Sequence, residues 1–230
     1  MRNKIVILGN LPLATKIIKL VQSKKNLELV GVVHPNKIQT YPDSNNEICA
    51  TKYCKEKKIR KLTINEIYNL KDLKLAISAR NDIILKKKFI DLFEIGIVNC
   101  HGGYLPEYKG VGGHIFPIIN KEKYSGASIH WITENIDNGN IIARKKIPIK
   151  KFDDGCTLFK KINDELFKLI ETYLQKLLTK KIVGKPQNLI KPNNRLKKNY
   201  FYFKKDVKRL IYFNIKSKIH TKALYWPNKV

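Results

Sequence analysis

Carboxylates are scarce in this chain: 19 Asp and Glu stand against 46 Lys and Arg, for a formal charge of +27 over 230 residues. Such an excess suits a nucleic-acid binder in principle. Arginine, however, the residue that forks onto phosphates and base edges, is far outnumbered by lysine, and the lysines are spread over every segment rather than gathered into a stripe. The joint abundance of Lys, Ile and Asn is the composition of an AT-rich genome. A surface of this sign would also steer small anions. Cysteine is sparse too. Cys49, Cys54, Cys100 and Cys156 form no Cys-x-x-Cys pair and follow no signal peptide, so free thiols in a reduced cytoplasm are expected. No apolar run reaches the ~20 residues of a membrane span. His101, His114 and His130 are too irregularly spaced for a local ligand set, and no carboxylate–His helix motif occurs, so no metal is expected. The first strand is followed by Gly9-Asn10-Leu11-Pro12, one glycine where a dinucleotide fingerprint needs three. No elbow surrounds a Ser or Cys nucleophile, and no repeat or low-complexity tract is present.

What is present reads as an α/β protein, a doubly wound, mostly parallel sheet with a short C-terminal extension. Apolar residues make up 43%, the content of a globular chain. Residues 4–8 (Lys-Ile-Val-Ile-Leu) and 27–33 (Leu-Glu-Leu-Val-Gly-Val-Val) are strands around a helix over 11–21. Short helices are expected over 47–57 and 65–69, a strand over 73–78, a helix over 84–94 and a buried strand over 96–100. Residues 101–113 are glycine-rich and read as one long loop, the kind that carries function. A helix over 115–120, strands over 126–132 and 140–149 joined by a turn at Asn138-Gly139, and a helix to about residue 178 with Thr157 as its N-cap complete the domain. The domain is expected to span 1–185. Residues 186–230, aromatic and basic, form an appendage that packs on the domain or against a second subunit.

Asn99-Cys100-His101 ends a central strand. Alternation points Asn99 and His101 to one face and Cys100 to the other, at the edge where open α/β sheets bind ligands. An amide beside an imidazole can stabilise an oxyanion and move a proton. A histidine after a strand is more often a core or loop residue, and Asp137, within Glu134-Asn135-Ile136-Asp137-Asn138-Gly139, is equally good turn chemistry. A carboxylate there could instead orient His101. Spacing alone does not bring the two together.

Asn99-Cys100-His101, then Leu105-Pro106, Gly110 and Asp137-Asn138-Gly139 after the strand Gly126-Ala127-Ser128-Ile129-His130, resembles the formyltransferase family that uses 10-formyltetrahydrofolate. The likeness runs over about residues 3–180. The resemblance implies a catalytic trio of Asn99, His101 and Asp137. It implies a pterin pocket made by Ser78, Arg80, Asn81, Asp82 and Ile83 with Glu134, Asn135 and Ile136. On the acceptor side it implies Gly102, Gly103, Tyr104, Pro106, Lys109 and Gly110, with Trp226 available to stack on a base. The wording from His101 to Gly110 is most like sugar N-formyltransferases, so the expected acceptor is the amine of a nucleotide-linked amino sugar. Asn10-Leu11-Pro12-Leu13 replaces the phosphate loop of glycinamide ribonucleotide transformylase, and some 45 residues after 185 are too few for the barrel of the tRNA enzyme. Glycinamide ribonucleotide or another small amine as acceptor, and a nucleic-acid binder on a degenerate enzyme fold, are the alternatives. The expected partners are folate and the sugar nucleotide, with no metal, nucleic acid or membrane, and a homodimer as one use of the tail.

Overall fold

The computed structural model describes residues 2–36, 47–81, 83–179, 182–190 and 200–202. The chain opens with β1 (Asn3–Leu8), α1 (Pro12–Gln22) and β2 (Leu27–Val33). It continues through α2 (Ala50–Glu56), α3 (Ile64–Ile67), β3 (Leu73–Ala79), α4 (Lys87–Ile90) and β4 (Gly96–His101). Then follow β5 (Tyr108–Gly110), α5 (Phe116–Ile119), β6 (Tyr124–Trp131), β7 (Ile141–Pro148), α6 (Gly155–Leu178) and β8 (Tyr200–Tyr202). Six strands form one sheet in the order β2-β1-β3-β4-β6-β7. The first four are parallel, and β6 and β7 are antiparallel to their neighbours. The expected α/β class and mostly parallel sheet are therefore observed.

Helices cover both faces, which is why the central strands are continuous apolar runs rather than alternating ones. Ile5, Val6, Ile7 and Leu8 are all fully buried. Ile5 and Ile7 join Ile77, Val98 and Cys100 against α1, α2 and α6. Val6 and Leu8 face the other way, onto Ile67, Phe89, Phe93 and Ile97. The helix α6 supplies Leu158, Ile162, Leu166, Ile170, Leu174 and Leu177 at helical spacing to the first layer. None of the described helices is long and apolar enough to cross a membrane.

The chain leaves β1 for β2 on one side and returns to β3 on the other, so the carboxyl ends of β1 and β3 bound the switch-point crevice. They touch there. A Cβ on Gly9 would lie 1.9 Å from the Ala79 carbonyl, and Gly9 has φ +150°, so only glycine fits.

Several boundaries differ from the sequence reading. The expected helix over 84–94 is one turn, because Glu94 N–H and Ile95 N–H bond to the Leu73 and Lys74 carbonyls and draw the chain back to the sheet. The helix expected over 47–57 begins at Ala50, where Asn10 accepts from Ala50 N–H through its carbonyl and from Thr51 N–H through its side chain. The loop over 101–113 contains β5, which pairs in parallel with β8. The turn before β7 lies at Asn135–Asn138, ahead of Asn138-Gly139, and places Asp137 at φ +51°. Thr157 is not the N-cap of α6. Asp154 is, accepting from Thr157 N–H at 2.8 Å, while the Thr157 hydroxyl accepts from Asp154 N–H at 2.9 Å. This reciprocal pair is a capping box with the roles exchanged. Asp82 and the aromatics beyond Tyr202, including Trp226, lie outside the described residues.

Loss of the cap should be measurable. Asp154→Ala is expected to cost ~1 kcal/mol in urea unfolding, and Thr157→Ala less, because it leaves the Asp154 acceptor in place. The reverse order would return the cap to Thr157.

Candidate active site

Asn99 and His101 lie on the face of β4 opposite Cys100, whose thiol is buried among core residues and pushed up to about 12 by burial. The neighbouring β6 runs antiparallel, and its register sets His130 directly across from Asn99. The loop after β6 then folds back and drops Asp137 between the two histidines. Asp137 Oδ2 is 3.4 Å from His101 Nδ1, and Oδ1 is 3.4 Å from His130 Nε2. Oδ2 also accepts from Gly110 N–H at 2.8 Å. All three side chains are below 10% exposed.

The shorter hydrogen bonds assign the ring protons and leave His101 Nδ1 and His130 Nε2 facing the Asp137 carboxylate at 3.4 Å with no proton between them. His130 Nδ1–H donates to the Trp131 carbonyl at 2.9 Å, which leaves Nε2 to accept from Asn99 Nδ2 at 3.1 Å. Ser78 Oγ donates to Asn99 Oδ1 at 2.9 Å and fixes which end of the amide faces inward. His101 Nε2–H donates to the Tyr108 carbonyl at 2.7 Å. That close approach requires Gly103: a Cβ there would lie 2.6 Å from both His101 Nε2 and the Tyr108 oxygen. His101 Nδ1 is therefore the basic nitrogen, beside the Asp137 carboxylate.

Burial pushes the His101 ring below its ordinary value of 6.5; the Asp137 charge opposes this, and His130 and Arg80 add to it. Burial alone would raise the Asp137 carboxyl. His101, His130 and the Gly110 N–H outweigh it and hold the group well below the usual carboxylate range. The resting pair is thus a neutral imidazole next to a carboxylate, poised to accept one proton and to stabilise the cation that results.

The network forms one wall of a cavity of about 600 Å³, the size of a small-molecule site. Ser78, Arg80, Asn81, Ile83, Glu134, Asn135 and Ile136, all expected at a pterin, line it. Of the acceptor residues expected, Gly102 and Gly110 line it. Gly103, Tyr104, Pro106 and Lys109 lie outside its lining, for a physical reason. Ser128 Oγ donates to the Gly103 carbonyl and accepts from Leu105 N–H, and Arg144 donates to the Leu105 carbonyl, so this stretch folds onto β6 and β7. Tyr104 lies beneath Arg144 and Lys146, edge-on to Tyr124. Lys109 bonds to Asn138. The Arg80 side chain turns away from the Glu134 loop to α6, where it donates to Asn163 Oδ1 and stacks 4.5 Å from the Phe159 ring centre. Among the described residues, no group of three or more His, Cys, Asp or Glu is arranged to hold a metal.

A family model described as Formyl transferase matches residues 3–174. The chain belongs to the formyl transferase family. A curated methionyl-tRNA formyltransferase from Borrelia garinii is 34% identical over 126 residues, 54% of this chain and 39% of that protein. The chain thus spans well under half the length of that relative. Among solved structures, this formyl transferase superposes on WlaRD, a sugar 3N-formyl transferase solved with dTDP and 5-N-formyl-THF, with a TM-score of 0.72 and 26% identity over 90% of this chain and 71% of that one. The N-formyltransferase from Helicobacter canadensis, in complex with folinic acid and dTDP-3-aminofucose, gives the same TM-score and identity over 90% and 72%.

Because Asp137 is the larger of the two influences, with the Tyr108 carbonyl, that pull the His101 ring toward its charged form, its removal has a defined sign. The His101 midpoint, read from ring-proton NMR shifts, is expected below 6.5 in the wild type. Asp137→Asn should lower it further. A midpoint that rises or does not move in the variant would contradict this arrangement.

Proposed function

We propose that this chain transfers the formyl group of 10-formyltetrahydrofolate to the amine of a nucleotide-linked amino sugar. One observation carries the reading: Asn99, His101 and Asp137 meet on the wall of a single cavity whose lining also holds an apolar group and one permanent cation. The apolar group is Ile83, Ile84, Ile132 and Ile136, with Ile84 69% exposed, and Asn81, Glu134 and Asn135 share the lining. Apolar walls with a few polar edge groups suit a flat, hydrogen-bonding pterin. Arg80 is the one permanent cation among the described lining residues. A guanidinium forks onto phosphate oxygens, which fits an acceptor carrying a diphosphate. Two sugar formyltransferases solved with a reduced folate and a dTDP moiety support this pairing of ligand classes.

The chemistry follows from the proton assignments. As the acceptor amine adds to the formyl carbon, negative charge grows on the formyl oxygen. Asn99 Nδ2, aimed inward by Ser78, is the neutral donor placed to receive that charge. The amine loses a proton as its new bond to carbon forms, and His101 Nδ1 takes it, with Asp137 stabilising the imidazolium. The bond from carbon to the folate nitrogen then breaks, and the proton returns to that nitrogen. His130 holds Asn99 and Asp137 in register and touches no reacting atom on this scheme.

A second reading, formylation of an aminoacyl-tRNA, is favoured by the +27 charge and by the tRNA enzymes among the relatives. A panel separates them: tetrahydrofolate release is followed with dTDP- and UDP-linked amino sugars, glycinamide ribonucleotide and methionyl-tRNA. Release with a sugar nucleotide alone is expected. Turnover of the tRNA that falls steeply with salt would replace this proposal by the second one. With the sugar nucleotide, Arg80→Gln should raise the acceptor KM about 10–100-fold, as for loss of a charged hydrogen bond, and leave the folate KM unchanged. An equal rise in the folate KM would return Arg80 to the pterin.

A further inference from the structure

We propose that Gln187 is a positioning residue for Asp137, and that the segment following α6 braces the catalytic pair from outside the domain. Gln187 lies beyond the residues matched by the family model. The backbone at Lys185 pairs with Ile141 through two hydrogen bonds, 2.9 and 2.7 Å, and so extends the edge of the sheet beside the Asp137 loop. Gln187 follows in a single 3-10 turn and is 8% exposed. Its Nε2 donates to the Asp137 carbonyl at 2.8 Å and to the Gly139 carbonyl at 2.9 Å. Both amide protons thus go to the two backbone oxygens that bracket Asn138. The other end of the amide, Oε1, is buried without a hydrogen-bond partner. Burying it costs free energy, so the donations are what recommend a glutamine here over a leucine of similar volume.

Asp137 needs such support. It is a non-glycine residue at φ +51°, where an L side chain is strained, on a loop that lacks regular pairing between Trp131 and Ile141. From the cavity side, its carboxylate is held by His101, His130 and Gly110 N–H. From the opposite side, Gln187 holds its peptide. The same C-terminal segment reaches the pair a second time. Tyr108 and Gly110, whose carbonyl and N–H hold His101 and Asp137, belong to β5, and β5 pairs with β8 from Tyr108↔Tyr200 to Gly110↔Tyr202. Both partners of the proton-accepting pair are therefore tied to the chain after residue 185.

The test is Gln187→Leu in the full chain, with Ile190→Val as a control in the same segment. Ile190 packs on Leu105 and Ile141 and makes no bond to the Asp137 loop. Two readouts are taken. The first is the His101 ring titration, which needs no substrate. It should move to lower pH in Gln187→Leu, in the direction of Asp137→Asn and by less, and stay at the wild-type midpoint in Ile190→Val. The second is turnover with whichever acceptor the wild type uses. The kcat should fall about 10–100-fold, the scale of an ångström's misplacement of a reacting group, with both KM values within about threefold. If Gln187→Leu unfolds at lower urea but keeps the wild-type midpoint and kcat, Gln187 is only structural and the proposal is wrong. If it does not fold, Gln187→Asn keeps the amide one carbon short of the two carbonyls. A shifted midpoint there supports the brace, and an unchanged one overturns it. The turnover arm rests on the formyl-transfer reading. The titration arm does not, so a failed acceptor panel with a shifted midpoint condemns that reading and leaves the brace standing.

Discussion

A carboxylate that is nearly excluded from water must be met by donors or by opposite charge, or it does not stay ionised. Asp137 is that carboxylate, and much of the molecule's design converges on it. Its neighbours come from separate parts of the chain: the His101 ring from β4, the His130 ring from β6, and the Gly110 N–H that donates to it from β5. None of these is near another in a way the chain alone could arrange. The parallel order of β1, β3 and β4 brings His101 to the carboxyl edge, and the reversal at β6 brings His130 back alongside. A one-residue slip between β4 and β6 would turn His130 to the opposite face. The core residues that resist such a slip, Cys100 on β4 and Ala127 and Ile129 on β6, lie on the apolar face away from the site.

This explains what could and could not be read from the sequence. The strands β1 to β4 are short apolar runs, and a run of that kind is visible wherever it occurs. The common direction of Asn99 and His101, with Cys100 opposed, follows from a period of two and needs no tertiary information. His130 is different. Its residue type and strand are both apparent, but its place opposite Asn99 depends on register between two strands separated by a long intervening stretch, from His101 to Tyr124, and the sequence carries no local mark of that. The N-cap expected at Thr157 lies three residues earlier, at Asp154, because a capping box uses two residues that can each serve as cap, and Asp154-x-x-Thr157 reads in either direction. The helix expected over 84–94 is too long because its apolar spacing at Leu85, Phe89 and Phe93 is truly helical, and only the pairing of Glu94 and Ile95 with β3 ends it at a single turn. Gln187 carried no signal: a lone glutamine in a polar stretch looks solvent-exposed until the loop it caps is in view.

The charge of the chain and the charge of the cavity obey different rules. The surface is dominated by lysine, and such ammonium groups hold partners as mobile points. Several sit on aromatic faces or pair with nearby carboxylates, as Lys161 does with Asp153 and Lys16 with Glu47 and Asp164. The described cavity lining contains no lysine at all. Its one permanent cation is an arginine whose guanidinium is held flat by Phe159 and Asn163. A long-range positive field accelerates the arrival of any anion and discriminates weakly among them. A fixed planar fork discriminates by geometry. The excess of lysine is thus compatible with a small anionic substrate as well as with nucleic acid, and the cavity is where the two readings part.

The start of α1 sharpens that distinction. A helix N-terminus at the switch point can cradle a phosphate with its free N–H groups, and a glycine-rich loop makes room for the ligand to reach them. In this chain the first helical position is Pro12, which has no N–H, and the preceding Leu11 offers no side-chain cap. Two of the amides that follow, Ala14 N–H and Thr15 N–H, already bond to the Leu11 carbonyl. Leu11 and Leu13 are both buried, and Asn10 turns its side-chain oxygen to Thr51 to start α2. The β1 turn is therefore a packing junction and not a glycine-rich phosphate loop. A phosphate-bearing acceptor in this cavity has to find its counter-charge elsewhere, and Arg80, across the same crevice at the end of β3, is the described lining residue that can supply it. Glycinamide ribonucleotide, whose phosphate would look for the missing cradle, is disfavoured on that ground, and a diphosphate long enough to reach Arg80 is favoured.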